Sequence, residues 1–124
     1  MDCPCCSGKK YQDCCELFHS GKETPDSAEL LMRSRYSAYA IPNGAYLMKT
    51  TYPSKRYLYH IQELEAWGKM NHWFKLEIVS LPATHQVEFK AYYINAEGVE
   101  QVHHEFSTFK REQSQWYYVS GKIK

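Results

Sequence analysis

Val87-Glu88-Phe89-Lys90-Ala91-Tyr92-Tyr93-Ile94-Asn95-Ala96-Glu97-Gly98-Val99 alternates in polarity with a period of two. Val87, Phe89, Ala91 and Tyr93 fall on one side and Glu88, Lys90 and Tyr92 on the other, which is the pattern of a strand with one buried face. Glu97-Gly98 reads as a hairpin turn. Working towards the C-terminus, Val99–Lys110 predicts the returning strand. Glu112-Gln113-Ser114 then turns the chain into a further strand, Gln115–Ser120, which carries Trp116, Tyr117, Tyr118 and Val119. Working towards the N-terminus, Thr84–Asn95 completes the first of these strands. Pro82-Ala83 predicts a turn before it, and His72–Leu81 a strand before that. Four consecutive strands with short connections imply a twisted antiparallel meander.

Before Gly68 the period is 3.6 instead. Leu58, Ile61, Leu64 and Trp67 predict a helix from Ser54 to Trp67 with Gly68 as its C-cap, and Glu63 and Glu65 lie on its other side. Pro42-Asn43-Gly44 makes a turn from which Asn43 caps a short helix, Gly44–Thr50, ending before Pro53. A longer helix is expected over Ser27–Ala40, with Asp26 as N-cap and Glu29 closing a capping box. Leu30, Leu31, Ser34, Ala38 and Ile41 lie near one face of it, with Tyr36 and Tyr39 beside them. Arg33 and Arg35 are expected in solvent or in surface ion pairs. Helices followed by a meander argue for an α+β fold, helices covering one face of the sheet. Gly21, Lys22, Thr24 and Pro25 break periodicity, so 16–25 reads as a link. It separates a small N-terminal unit, residues 1–20, from the main domain, 26–124.

The chain has 124 residues, 44% hydrophobic and 23% charged, an ordinary globular composition with room for one compact domain and a small appendage. A net charge of +1 gives no general drive towards nucleic acid or membrane. There is neither a run long enough to span a bilayer nor the apolar core of a signal peptide, so a cytoplasmic location is expected. Eleven tyrosines, three tryptophans and five phenylalanines are the unusual feature of the main domain.

All five cysteines lie in Met1-Asp2-Cys3-Pro4-Cys5-Cys6-Ser7-Gly8-Lys9-Lys10-Tyr11-Gln12-Asp13-Cys14-Cys15. Cysteine used only as core filler would be scattered. Two close pairs, Cys3 with Cys5 and Cys14 with Cys15, joined by a tight turn at Ser7-Gly8, can enclose one tetrahedral Zn²⁺ and leave Cys6 spare. Two other readings stand beside this one. A disulfide cluster suffers from the odd count and from neighbouring cysteines being poor partners. A reactive thiol at Cys5-Cys6 would draw on Lys9 and Lys10 to lower its pKa. In the zinc reading those lysines offset the negative charge of four thiolates, and the segment folds only with its metal.

Cys-Pro-Cys-x-Ser-Gly-Lys-Lys-Tyr-x-x-Cys-Cys resembles the SEC-C zinc motif found at the tail of the SecA translocation ATPase, and the resemblance implies Cys3, Cys5, Cys14 and Cys15 as ligands of one structural zinc. Cys6 stands where that motif usually has Gly, and it competes with Cys5 as a ligand. Leu31-Met32-Arg33-Ser34-Arg35-Tyr36-Ser37-Ala38-Tyr39, Tyr46-Leu47, Val87-Glu88-Phe89-x-Ala91-x-Tyr93, His104-Glu105-x-Ser107-x-Phe109-x-Arg111-Glu112 and Trp116-Tyr117-Tyr118-Val119-x-Gly121 together resemble the YchJ-like family. That resemblance covers nearly the whole chain. It implies a zinc knuckle on a nuclear-transport-factor-2-like (cystatin-like) domain, a curved sheet wrapped over helices as a cone with a pocket. Thr50-Thr51-Tyr52-Pro53 departs from the family's Thr-Trp-His-Pro, so an imidazole there is lost to Tyr52. Some members carry a second cysteine motif at the C-terminus; none precedes Lys124.

The pocket of such a cone would draw on Arg35, Tyr39, Phe89, Tyr93, Glu105, Phe109, Trp116 and Tyr118. His103, His104 and Glu105 are the nearest thing to a catalytic constellation. Alternation sends His104 and Glu105 to opposite faces, with Ser107 and Phe109 on the side of Glu105, and Phe106 and Thr108 on the side of His104. Glu105 is expected to pair with Arg35 or Arg111. His60 and His72 are lone surface residues, and no nucleophile with a base is visible, so no catalytic residue is assigned. Two functions compete. A binding or adaptor module would dock a protein-biogenesis partner, of the chaperone or ribosome type seen at the SecA tail, through Lys9, Lys10 and Tyr11. A pocket protein, an isomerase, hydrolase or small-molecule binder, would use the cone. The adaptor is favoured because the distinctive chemistry lies in the knuckle. A homodimer through the sheet is a further expectation.

Overall fold

The computed structural model describes all residues, Met1–Lys124. Four helices come first: α1 (Cys15–His19), α2 (Ala28–Ala40), α3 (Gly44–Lys49) and α4 (Ile61–Met70). Four strands follow: β1 (His72–Ala83), β2 (Gln86–Ile94), β3 (Glu100–Glu112) and β4 (Gln115–Ile123). They form one antiparallel sheet in the order β1-β2-β3-β4, the meander expected from the alternation. No helix is long and apolar enough to cross a membrane.

The alternating side chains of β2 define the core. Val87, Phe89 and Ala91, with Leu76 of β1 and Phe109 of β3, pack against Ala28, Leu31, Met32 and Tyr36 of α2. Burying each of the larger side chains contributes about 1.5–3 kcal/mol. A second cluster joins Ala38 of α2 to Tyr46 and Leu47 of α3, with Phe18 of α1 and Leu64 of α4 packed against it. The opposite face of the sheet is mixed: the pairs Glu88–His104 at 2.7 Å and Glu77–Tyr92 at 2.7 Å cross it beside Phe74, Val102 and Phe106.

Several local expectations are corrected. The N-cap of α2 is Ser27, not Asp26: its Oγ accepts from the Leu30 N–H at 3.1 Å. Glu29 makes no capping box and pairs with Arg33 at 3.0 Å instead. The single helix expected over Ser54–Trp67 is split. Pro53–Leu58 is a 3-10 segment and α4 begins only at Ile61. Gly68 is no C-cap; it lies inside α4, where an added Cβ would sit 2.6 Å from the Tyr39 carbonyl oxygen. Its missing side chain lets α4 press against the end of α2. Pro82 does not turn the chain, because β1 runs to Ala83, which pairs with Gln86. β1 is an edge strand whose register slips here, a position at which proline is tolerated. Arg35, expected in solvent, is only 6% exposed.

Candidate metal centre and pocket

The first fifteen residues fold back on themselves. The Cys3 N–H donates to the Lys9 carbonyl at 2.9 Å and the Tyr11 N–H to that of Met1 at 2.9 Å. Gly8, at φ +86°, supplies the left-handed turn between the cysteine pairs. Cys14 and Cys15 follow the 3-10 turn Tyr11–Asp13, Cys15 opening α1. The Sγ atoms of Cys3, Cys5, Cys14 and Cys15 all lie within 4.8 Å of one another. Cys5 and Cys14 are 3.6 Å apart, and Cys14 and Cys15 4.0 Å. Four thiolates at about 2.3 Å from a tetrahedral ion would be spaced at about 3.8 Å, so the cluster could hold a metal ion.

Its electrostatics agree. Hydrogen bonds from Cys15 and Cys5 push the Cys3 thiol far down. Donation to Cys3 and to Cys5, together with burial, pushes Cys15 far up. Cys5 receives from Cys15, yet donation to Cys3 and burial raise it to about 11. The charge on Cys3 is thus favoured and charges on Cys5 and Cys15 are opposed, a conflict that a divalent cation would remove. The groups beside the sulfurs are hydroxyls: Ser37 Oγ lies 3.5 Å from Cys3 Sγ, and Ser7 Oγ 3.2 Å from Cys14 Sγ. The lysines expected in that role are elsewhere. Lys10 pairs with Asp2 at 3.2 Å, and Lys9 is exposed. Cys6 does not displace Cys5. It stands outside the cluster at φ 65°, the conformation for which the motif ordinarily uses Gly, and its Sγ accepts from the Leu76 N–H of β1 at 3.4 Å.

The knuckle is docked on α2. Arg33 Nη1 donates to the Cys5 carbonyl at 2.7 Å. His19 bridges Tyr11 and α2: its Nε2 meets the Ser34 carbonyl at 2.8 Å and its Nδ1 the Tyr11 hydroxyl at 2.7 Å. A carbonyl only accepts, so Nε2 carries the proton and Nδ1 receives one from Tyr11. Burial lowers the pKa of His19. Tyr11, expected to face a partner, is therefore half-buried and engaged with His19.

On the concave side of the sheet, under α2 and α4, lies a cavity of about 230 Å³. Arg35, Tyr39, Phe89, Glu105 and Tyr118 line it, as expected. Three expected members do not. Phe109 is buried beyond Tyr118, Tyr93 stacks on Trp73 at 4.7 Å, and Trp116 lies against α2's N-terminus and the 21–25 loop. The wall also includes Tyr36, Tyr59, Trp67, Trp73 and His103.

Glu105 pairs with neither Arg35 nor Arg111. Its Oε1 meets His103 Nε2 at 2.8 Å, and its Oε2 accepts from Ser107 and, at 3.1 Å, from Tyr118. Burial opposes its charge, but His103 and Ser107 outweigh burial and hold the carboxyl below its usual range. Gly121, opposite Ser107 on β4, makes room: an added Cβ would collide with the Glu105 carboxylate. The same carboxylate, with burial, pushes the Tyr118 phenol well up. Arg35 instead donates from Nη1 to the Leu47 carbonyl at 2.8 Å and to Thr50 Oγ1 at 2.7 Å, and stacks over Tyr118 at 4.6 Å. Of the three residues His103, His104 and Glu105 that the sequence grouped, only His103 and Glu105 meet in the cavity wall. The i, i+2 rule that separates His104 from Glu105 places His103 beside it.

The sequence pattern described as the middle, NTF2-like domain of YchJ matches residues 27–121, and that of the SEC-C motif matches 2–17. The chain belongs to the YchJ family. It is 44% identical to a UPF0225 protein of Haemophilus influenzae (strain PittEE), the match covering 98% of this chain and 78% of that one. A UPF0225 protein of Geobacter sulfurreducens is 35% identical, with 96% and 77% covered. The solution structure of a SEC-C motif containing protein from Rhodopseudomonas palustris superposes with a TM-score of 0.90 at 35% identity, covering 100% of this chain and 99% of that one. A crystal structure of a SEC-C motif containing protein from Psychrobacter arcticus gives 0.83 at 35% identity, covering 98% and 82%.

Within this YchJ-family fold the departure at Thr50-Thr51-Tyr52-Pro53 falls outside the pocket. Thr51 is buried and donates to the Leu47 carbonyl at 2.8 Å. Tyr52 lies on the surface, donating to Glu112 at 2.8 Å and receiving from Lys110 at 3.1 Å.

Proposed function

We propose that this chain is a non-enzymatic binding module whose knuckle is held by one structural Zn²⁺ on Cys3, Cys5, Cys14 and Cys15. Its partner belongs to protein biogenesis, of the chaperone or ribosome type, and docks on the outer rim of the knuckle at Lys9 and Lys10. The observation that supports this reading is the closed sulfur cluster. Four cysteine sulfurs with three of the residues buried leave no open coordination position for substrate. The inner side of the knuckle is already taken by α2 and β1, whereas the tip around Gly8, Lys9 and Lys10 is exposed and open to a partner.

Two measurements test it. Native mass spectrometry of chain purified without chelator should show one zinc per chain, lost together with the knuckle's NMR dispersion when a strong chelator is added. A folded, metal-free knuckle would overturn the zinc assignment. Co-sedimentation with purified ribosomes, and binding to a purified export chaperone, should each be compared with a Lys9→Glu, Lys10→Glu variant. Loss of binding to one of these in the folded variant supports the rim. Absence of wild-type binding to both, or equal binding by the variant, removes it.

A further inference from the structure

Arg35 is a buried cation without a counter-ion. It is 6% exposed, and the nearest candidate carboxylate is engaged elsewhere. Glu105 is the only acidic residue lining the cavity, and its oxygens already accept from His103, Ser107 and Tyr118. The guanidinium is held from one end only. Thr50 Oγ1 has given its proton to the Tyr46 carbonyl, so it offers Nη1 a lone pair. The Leu47 carbonyl offers another at 2.8 Å. Nε and Nη2 have no protein partner, which leaves three N–H donors of a planar fork on a side chain that lines the cavity. Neither nitrogen is sealed off from the cavity, so an acceptor that enters it can complete the guanidinium.

We propose that the cavity is a binding site for a small, flat organic anion, its oxygens received by the free N–H groups of Arg35. Guanidinium and carboxylate match as two parallel hydrogen bonds, which fixes the orientation of the ligand. The body of the ligand lies among Tyr39, Tyr59, Trp67 and Trp73. A volume of about 230 Å³ restricts it to roughly one ring, since it falls below the range of about 300–1,000 Å³ usual for larger ligands. His103 adds a second point of recognition. Glu105 can only accept, so His103 Nε2 carries a proton, and Nδ1 is the ring nitrogen left to meet a polar group of the ligand. The site is independent of the knuckle rim, and each can fail without the other.

The test uses the full, metal-loaded chain with three single-ring probes: benzoate, benzyl alcohol and benzylammonium. Binding is read from NMR shifts of the Trp67 and Trp73 indoles and the Arg35 Nε–H, and from tryptophan fluorescence. Benzoate should bind at least about tenfold more tightly than benzyl alcohol, the discrimination expected of charge-assisted hydrogen bonds, with benzylammonium weakest. Arg35→Lys should remove the preference for benzoate over benzyl alcohol. That arginine also ties α2 to α3, so Glu105→Gln provides a second variant that keeps shape and deletes the one negative charge of the wall. It should tighten benzoate several-fold and leave benzyl alcohol unchanged. Equal binding of benzoate and benzyl alcohol, no binding of any probe at millimolar concentration, or a Glu105→Gln chain that binds benzoate no better would overturn the proposal.

Discussion

Gly121→Ala isolates the packing that holds the pocket carboxylate in place. The added Cβ would fall on the Glu105 Oε2 and Cδ positions and 2.8 Å from the Tyr118 hydroxyl. The strand backbone is paired to Ser107 across the ladder, so the side chain of Glu105 is the part able to move. Once it moves, Ser107, with no exposed surface, loses its acceptor. A buried hydroxyl left unpaired costs about 1–3 kcal/mol. Replacing glycine within a strand returns about 0.5–1 kcal/mol through the unfolded chain. The difference spans about 0–2.5 kcal/mol, so the variant should be destabilised by about 1 kcal/mol at the centre of that range, with a fall in Tm of roughly 4 °C for each kcal/mol. Urea unfolding of the metal-loaded chain, followed by tryptophan fluorescence, measures it. The decisive comparison is the same substitution in a Glu105→Ala background, where the obstacle is gone and Gly121→Ala should be neutral or slightly stabilising. Equal costs in the two backgrounds, within about 0.5 kcal/mol, would refute the steric account.

Three further outcomes follow from the same geometry. Cys6→Gly should keep the metal and change stability by no more than about 1 kcal/mol, because glycine relieves the left-handed φ while the contact to the Leu76 N–H is lost; Cys5→Gly should lose the metal, and metal analysis giving the reverse order would show that Cys6 is the ligand. Gly68→Ala should cost about 1–3 kcal/mol, since the Cβ meets the Tyr39 carbonyl and forces α4 away from α2; a gain in Tm, as helix propensity alone would give, contradicts that contact. His19 is held neutral with its pKa lowered by burial, so its contribution is complete above the unfolded value near 6.5 and is lost as pH falls from there through the lowered folded value. The wild type should therefore lose stability relative to His19→Gln between about pH 7.5 and 5, and a difference that stays constant over this range would show that His19 is not buried neutral.

The fold was legible because the two periods are cleanly separated along the chain. The alternation of Val87, Phe89, Ala91 and Tyr93 and the turn at Glu97-Gly98 specify a half-buried hairpin with little competition. The four cysteines were legible because clustering is not what core packing produces. What escaped depends on contacts distant in sequence. Gly68 looks like a C-cap until Tyr39 is known to lie against it. Arg35 looks like a surface charge because nothing local announces the carbonyl and threonine of α3 that receive it. The Glu105 partners were misjudged for the same reason. Opposite charge suggested Arg35 or Arg111, whereas the sheet places the donors His103, Ser107 and Tyr118 nearer.

The course of α2 explains why the knuckle is more than an appendage. Ser34, Arg35, Tyr36, Ser37 and Ala38 are five successive buried residues, more than one full turn, so this stretch of helix has no solvent side. Tyr36 serves the sheet core and Ala38 the α3 cluster. Arg35 enters the pocket, and Ser34 and Ser37 meet His19 and Cys3. A helix apolar on one stripe can end at solvent, but one covered all round needs a further layer. Here that layer is the knuckle, docked through Arg33, His19 and Ser37. Ser37 is small enough for close approach and its hydroxyl meets Cys3, whereas Ser34 offers His19 its backbone carbonyl and turns its hydroxyl to Tyr46. Hydrogen bonds from Arg33 to Cys5 and from His19 to Ser34 thus cross the boundary between residues 20 and 26. A ligand that closes the sulfur cluster acts on the same helix that carries Arg35 into the cone.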